Sequence, residues 1–475
     1  MAQSSLKNLK TGSCVHLMGI CGTAMASLAG LLQDMGYKVT GSDSNPYPPM
    51  STQLESLGIQ IQKPYAAENL KHQPDFIIVG NVISASNPEA QEMVRLNIPY
   101  CSLPQAMGEV VIADRNSFVI AGTHGKTTTT SLMSWVAEQA GLTPGFLIGG
   151  IPKNFSKSFR VPQKQTFVIE GDEYDTAYFD KVPKFIHYKP QQVILTSVEF
   201  DHADIYADFQ AVKNAFIRLM GLIPSTGNLV YWGDDAAVKE VSAHCEIKNK
   251  FSYGFKAEND FVCEIISENE KSIEIAISFK GQKLGQFQTE MSGRYNLLNA
   301  TAVIALAHLN KMNMDSVAQG VRTFQGVKRR QEVIAEPRGI TIIEDFAHHP
   351  TAVRETVLGI QKKYQNRKVF SIFEPRSATS RRKVFQKDYI EAFMHAHEII
   401  LAEAFDQAKI SEDNRFSSAE LVNDLVKNGK EAFVFNHVDQ IVQHLKNKAK
   451  PNDVILIMSN GGFDGIYQKL IGALG

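Results

Sequence analysis

Residues Gly122-Thr123-His124-Gly125-Lys126-Thr127-Thr128 place a lysine and two hydroxyls directly behind a pair of glycines. The apolar run Phe118 to Ala121 precedes them, and the helix-forming stretch Ser131 to Ala137 follows. Strand, glycine turn and helix in that order make a cradle for phosphate. The glycines let successive N–H groups turn toward anionic oxygens, and the helix N-terminus adds the positive end of its dipole. In such a cradle Lys126 reaches the β- and γ-phosphates of a nucleotide, and the Thr127 hydroxyl ligates the Mg²⁺ that bridges them. The loop is shorter than the G-x-x-x-x-G-K-[ST] form, so its context carries the reading.

Two acidic clusters follow apolar strands in the same stretch of chain. Phe167-Val168-Ile169 leads into Glu170-Gly171-Asp172-Glu173-Tyr174-Asp175, and Val193-Ile194-Leu195 leads to Glu199-Phe200-Asp201-His202-Ala203-Asp204. Either alone reads as a solvated loop; two behind one phosphate loop point to magnesium ligands and a γ-phosphate sensor at the sheet's carboxyl edge. Asn296 and Asn299 share a helix face at i and i+3, where carboxamides can donate to and accept from an adenine edge. Helix capping by Asn296 is the simpler alternative. Gly326-Val327-Lys328-Arg329-Arg330-Gln331-Glu332 is a basic hinge between domains, either a solvated charge run or a segment that swings an arginine over the γ-phosphate.

These residues need a scaffold of alternating strands and helices. At 475 residues the chain is too long for one core, and it divides into about three domains. The first, 1–115, opens with a strand at Cys14 to Met18. The turn Gly19-Ile20-Cys21-Gly22 follows, then a helix from Ala26 to Met35 and a strand at Lys38 to Thr40 that delivers Asp43. This β-α-β unit suits a diphosphate at the turn and a ribose at Asp43, while G-x-x-G in place of G-x-G-x-x-G disfavours a nicotinamide dehydrogenase. Asn45-Pro46-Tyr47-Pro48-Pro49 forms a stiff loop on that side. The second domain, 116–328, carries the phosphate loop and an edge sheet of alternating strands from Phe251 to Gln288. The third, 329–475, ends strands at Asp345, Glu374 and Ser459, whose polar clusters line one crevice of another doubly wound sheet. With 49 basic and 50 acidic residues the chain carries a formal net charge of -1. No overall field draws it to nucleic acid or to a membrane. The five cysteines form no C-x-x-C pair and read as free thiols in a reducing compartment. The polar N-terminus and the lack of a long apolar run predict a cytoplasmic protein.

Taken together, the phosphate loop, Glu170-x-Asp172-Glu173, Glu199-x-Asp201-His202, Gly293-x-x-Asn296-x-x-Asn299, Arg329-Arg330 and Asp345-x-x-His348-His349-Pro350-Thr351 resemble the Mur ligase family over nearly the whole chain. The resemblance implies an α/β protein of three domains: a Rossmann-like UDP-binding domain, a central P-loop ATPase domain and a Rossmann-like C-terminal domain. It also implies ATP and Mg²⁺. Gly19, Gly22 and Asp43 would belong to the UDP-sugar site, with His124 at the muramyl carboxylate. Gly122, Thr123, Gly125, Lys126, Thr127 and Thr128 would hold the ATP phosphates, with Thr127, Glu170 and His202 as metal ligands. Asn296 and Asn299 would lie on the adenine side, Asp345 on the ribose and Arg330 on the γ-phosphate; Lys126, His202 and Arg330 would be the catalytic set. The stretches Asn45 to Ser51, Glu173 to Lys181, Glu374-Pro375-Arg376-Ser377 and Met458 to Phe463 are most similar to members that join UDP-N-acetylmuramate to the murein tripeptide L-alanyl-γ-D-glutamyl-meso-diaminopimelate. The alternatives are addition of L-alanine to the same acceptor, and a non-catalytic UDP-sugar-binding regulator. A peptide carboxylate needs a forked cation, which makes Arg376, with Ser459, the expected peptide contact. Three positions depart from the family pattern: Tyr295 in place of a histidine, Ser197 in place of an asparagine, and Phe216 at the position of a carbamylated lysine. The protein is expected to act as a monomer or homodimer.

Overall fold

The computed structural model describes residues 5–46, 48, 50–203, 205–408 and 410–475. Tyr47, Pro49 and Asp204, which belong to the stiff loop and the second acidic cluster, lie outside the described residues, as do residues 1–4 of the polar N-terminus.

Three mainly parallel sheets carry the chain. The first has five strands in the spatial order Ile61–Gln62, Lys38–Ser42, Cys14–Met18, Phe76–Val79, Tyr100–Ser102, all parallel. Its middle strands are nearly continuous apolar runs because helices cover both faces; Val15, Leu17, Ile77 and Ile78 are all fully buried. The glycine turn after Met18 starts the helix Thr23–Asp34.

In the second sheet Asn116–Ala121 lies between Gln192–Leu195 and Thr166–Gly171, parallel to both. Ala121 is in register with Gly171 on one side and Leu195 on the other, so the phosphate loop and both acidic clusters leave the sheet at one level. That shared register brings the catalytic candidates together. The alternating strands expected as an appended edge sheet are instead continuous with the main one. Phe261–Glu268 pairs parallel with Lys250–Gly254, then meanders through Ile273–Phe279 and Gln282–Thr289 to give ten strands. Burial explains the join, since Phe261, Cys263, Ile275 and Ile277 pack in the same core as Phe118, Val136 and Leu306.

The third sheet has the order Glu332–Ala335, Thr341–Asp345, Val454–Met458, Val369–Phe373, Glu398–Ala402, Glu431–Phe435, antiparallel only at its first strand. Asp345, Met458 and Phe373 end in register, so the loops behind them also converge. The basic hinge therefore runs straight into the edge strand of this sheet.

One apolar core runs from Leu17 and Leu32 of the first unit through Phe159, Phe167 and Phe216 of the second. Gly30 lies so close to Phe159 that a Cβ there would fall 2.1 Å from the ring. Beside it the Ser27 and Ser158 hydroxyls are 2.7 Å apart. The third unit has separate cores on its two sheet faces, around Val357 and Phe373 and around Phe370 and Leu470. Among the described residues no helix is long and apolar enough to cross a membrane.

Candidate active site

The phosphate loop bends at Gly122 (φ 133°) and Gly125 (φ 82°), and the helix Lys126–Gln139 starts directly after. A side chain at Gly122 would strike the Thr196 hydroxyl at 2.1 Å, and one at Gly125 would meet the Asn299 carboxamide at 2.8 Å. Both glycines are thus required by conformation and by space. Thr123 pins the loop to the second acidic cluster: its hydroxyl accepts from the Glu199 N–H at 2.9 Å. The His124 N–H donates to the Ser197 hydroxyl at 2.9 Å, so the serine standing in place of an asparagine holds the loop.

Lys126 Nζ donates to the Gly122 carbonyl at 2.6 Å and to Glu173 at 2.9 Å. Burial opposes its charge, but Glu173 and Asp172 outweigh burial and hold the ammonium above its usual range. The Thr127 hydroxyl donates to Glu170 at 3.0 Å. Burial and the neighbouring Asp172 push the Glu170 carboxyl up, a strain that a divalent cation relieves. Hydroxyl, carboxylate and nearby imidazole suit a hard cation that keeps part of its water shell, so Mg²⁺ fits these residues. His202 completes the set from the same cavity, with Nε2 3.7 Å from Glu173 and its ring tilted against Tyr174 at 5.0 Å between centroids.

A cavity of about 430 Å³ lies where the three units meet. Gly22 and Asn81 line it from the first, Lys126, Thr127, Glu170 and His202 from the second, and Arg330 and His348 from the third. A neighbouring cavity of about 320 Å³ lies between the second and third units and is lined by Gly125, Thr128, Asn296, Asn299, Arg330 and Asp345. Arg330 and His124 border both spaces. The guanidinium of Arg330 rests 4.8 Å over the Phe346 ring, whereas Arg329 is spent on Glu344 and on the Ser459 and Gly461 carbonyls. Of the two hinge arginines, only Arg330 is placed to meet a ligand there.

Several expected residues hold the walls. Asn296 does not cap its helix: Gly293 occupies that position, and the Asn296 amide donates to the Ser292 carbonyl at 2.8 Å. Asp345 accepts from the Gln331 and Ala347 N–H groups at 2.8 and 2.7 Å, which fixes the hinge against the strand end. Asp43 accepts from the Cys21 N–H at 2.9 Å and so shapes the turn between Gly19 and Gly22. Arg376 and Ser459 line neither cavity. The expectation that Ser459 faces the peptide is corrected: its side chain is fully buried, donating to Glu374 at 2.5 Å and accepting from Gly461 at 2.9 Å. Arg376 leans on Glu374 at 3.2 Å and lies 3.6 Å over the Phe405 ring.

Models of known families match in three consecutive pieces: the Mur ligase catalytic domain over 14–115, the Mur ligase middle domain over 120–307, and the Mur ligase glutamate ligase domain over 329–461. The chain belongs to the Mur ligase family. An Escherichia coli K12 protein named UDP-N-acetylmuramate–L-alanyl-γ-D-glutamyl-meso-2,6-diaminoheptandioate ligase is 37% identical over 466 residues, 97% of this chain and 98% of its own. The crystal structure of a murein peptide ligase from Psychrobacter arcticus superposes with a TM-score of 0.73 at 34% identity, covering 98% of this chain and 99% of that one. A UDP-N-acetylmuramate–alanine ligase from Thermotoga maritima gives a TM-score of 0.80 at 22% identity, covering 97% and 98%, a likeness of fold.

Phe216, expected at the position of a carbamylated lysine, has its ring wholly buried, 6.0 Å from Phe185. Sequence reasoning missed Lys184. Its ammonium reaches Asp172 at 3.1 Å, sits 4.1 Å from the Tyr174 ring centre and lines the three-unit cavity. No local spacing marks this lysine; only the fold returns it to the first acidic cluster. Thr351 was also unassigned, and its hydroxyl donates to Glu199 at 2.6 Å across the domain boundary.

Proposed function

We propose that this Mur ligase joins the lactyl carboxylate of UDP-N-acetylmuramate to the α-amine of L-alanyl-γ-D-glutamyl-meso-diaminopimelate, with ATP becoming ADP and phosphate. The observation that carries this reading is the convergence of Lys126, Thr127, Glu170, His202 and Arg330 on one cavity bordered by all three units. The choice of amine rests on the 37% identity to a relative named for that tripeptide. We take 1–115 as the nucleotide-sugar domain, 116–328 as the ATP domain and 329–475 as the peptide domain, working in the cytoplasm.

A carboxylate resists attack by an amine because oxide would have to leave. Transfer of the γ-phosphoryl group to a lactyl oxygen gives an acyl phosphate and ADP. The amine then attacks the carbonyl carbon and phosphate departs with that oxygen. Two anions meet in the first step, so the cavity has to supply positive charge. Lys126 exchanges Glu173 for the β- and γ-phosphates, and Arg330 covers the γ-phosphate from the other side. Mg²⁺ held by Thr127, Glu170 and His202 would add charge neutralisation there. Gly19, Gly22 and Asp43 form the diphosphate end of the sugar site, His124 stands at the lactyl carboxylate, and Asn296, Asn299 and Asp345 frame the adenosine. Arg376 remains the peptide contact in this reading.

Purified protein with ATP, Mg²⁺ and UDP-N-acetylmuramate is offered either tripeptide or L-alanine. Coupled product and phosphate with the tripeptide is the expected result. Preference for L-alanine, the amine in the name of a 30% identical Clostridium kluyveri relative, would replace it; no phosphate with either amine would leave a sugar-binding regulator.

A further inference from the structure

At the seam between the central and third domains, His124 Nε2, Glu199 Oε2 and His349 Nδ1 lie within 4.8 Å of one another. The carboxylate oxygen is 3.5 Å from His124 Nε2 and 3.9 Å from His349 Nδ1, and the two rings are 4.6 Å apart. The protonation of His349 follows from its far side. Nε2 is 3.2 Å from the Phe200 carbonyl oxygen, which can only accept, so Nε2 carries the hydrogen and Nδ1 of the neutral ring carries a lone pair. That lone pair receives only a long 3.3 Å bond from the Thr351 N–H. His124 Nε2 is buried without a hydrogen-bond partner.

The His349 lone pair, the Glu199 carboxylate and the unpartnered His124 Nε2 therefore lie close enough to share one ion. An imidazole whose outer N–H is anchored on a backbone carbonyl is the supporting arrangement found around metal-ligating histidines. Two nitrogens and one oxygen suit Zn²⁺ with a water as fourth ligand, and suit Mg²⁺ poorly. We propose that His124, Glu199 and His349 form a binding site for a Zn²⁺-class transition-metal ion, and that its occupation clamps the third domain onto the central one. The site is distinct from Thr127, Glu170 and His202, and does not depend on which amine the enzyme uses. Because it takes His124 out of the phosphate loop's service, the ion acts as an inhibitor.

The test uses the full chain, stripped of metal and held in excess Mg²⁺ so that the oxygen-rich set is occupied. Co²⁺ titration, followed by visible absorption, is expected to give the intense bands of a four-coordinate ion at one equivalent, displaced by Zn²⁺. Glu199→Gln and His349→Gln should each weaken binding at least tenfold, while His202→Gln keeps the bands; circular dichroism checks that each variant is folded. Zn²⁺ should also reduce the radius of gyration seen by small-angle scattering. Absence of the bands in the wild type, or equal bands in both Glu199→Gln and His349→Gln, overturns the site. An unchanged radius of gyration on binding overturns the clamp.

Discussion

Lys126 has its ammonium committed to Glu173 at 2.9 Å and to the Gly122 carbonyl at 2.6 Å before any anion arrives. In the proposed reaction a triphosphate would exchange for Glu173, which would make the lysine a gate as well as a clamp. Lys126→Ala is expected to lower kcat by about 10²–10³-fold or more, with UDP-N-acetylmuramate affinity by calorimetry unchanged, because Gly19 and Gly22 lie in the turn behind a strand of the first sheet; near-normal turnover would remove Lys126 from the reaction. Arg376 differs in kind. Its guanidinium stacks on Phe405 while reaching Glu374, and a lysine has neither the plane nor the fork. Arg376→Lys should raise KM for the tripeptide about tenfold while KM for ATP stays put; an unchanged tripeptide KM would exclude it as a contact. The phosphate loop could be read from the chain because a glycine turn between strand and helix is a local pattern. Ser459 could not, since its sequestration by Glu374, 85 residues away, is decided by packing alone.

Among the elements, the helix Pro88–Arg95 does more than cover the first sheet. From its first turn the fully buried Glu89 accepts from the Ser42 hydroxyl and the Asn69 amide, with His16 3.7 Å away. It thereby ties the strand that delivers Asp43 to the 3-10 helix Ala67–Leu70 that holds Asn69. Burial opposes the Glu89 charge, but His16, Ser42 and Asn69 outweigh it and hold the carboxyl below its ordinary 4.5. A lowered carboxylate stabilises the fold above that ordinary value, and the stabilisation drains away as pH falls through the lower folded value. Thermal unfolding of the wild type should therefore lose ground below pH 4.5. Glu89→Ala should cost about 3 kcal/mol at pH 7 and flatten that acid limb; an unaltered slope would contradict the pairing. Most strands and helices of the site were legible because apolar runs ended at Gly, Asp or Ser. The ten-strand continuity was not, because a meander such as Phe261 to Thr289 shows the same alternation whether it joins a parallel sheet or stands beside it.

At the scale of the molecule, the first two units share a core across Gly30 and Phe159, whereas the third keeps its own. The third reaches across through hydrogen bonds that include Thr351 to Glu199 at 2.6 Å and Thr379 to Asp201 at 2.9 Å. Thr379→Val should leave Asp201 short of a partner, enlarge the radius of gyration and lower kcat about tenfold; a compact, fully active variant would show that this bond does not govern closure. The welded pair has a further consequence for traffic through the enzyme. In the proposed reaction the acid and the phosphates have their seats on the pair that shares one core, whereas the wall meant for the peptide belongs to the third unit, which keeps its own. The amine therefore boards last, and an unreactive peptide mimic should be uncompetitive against the sugar nucleotide.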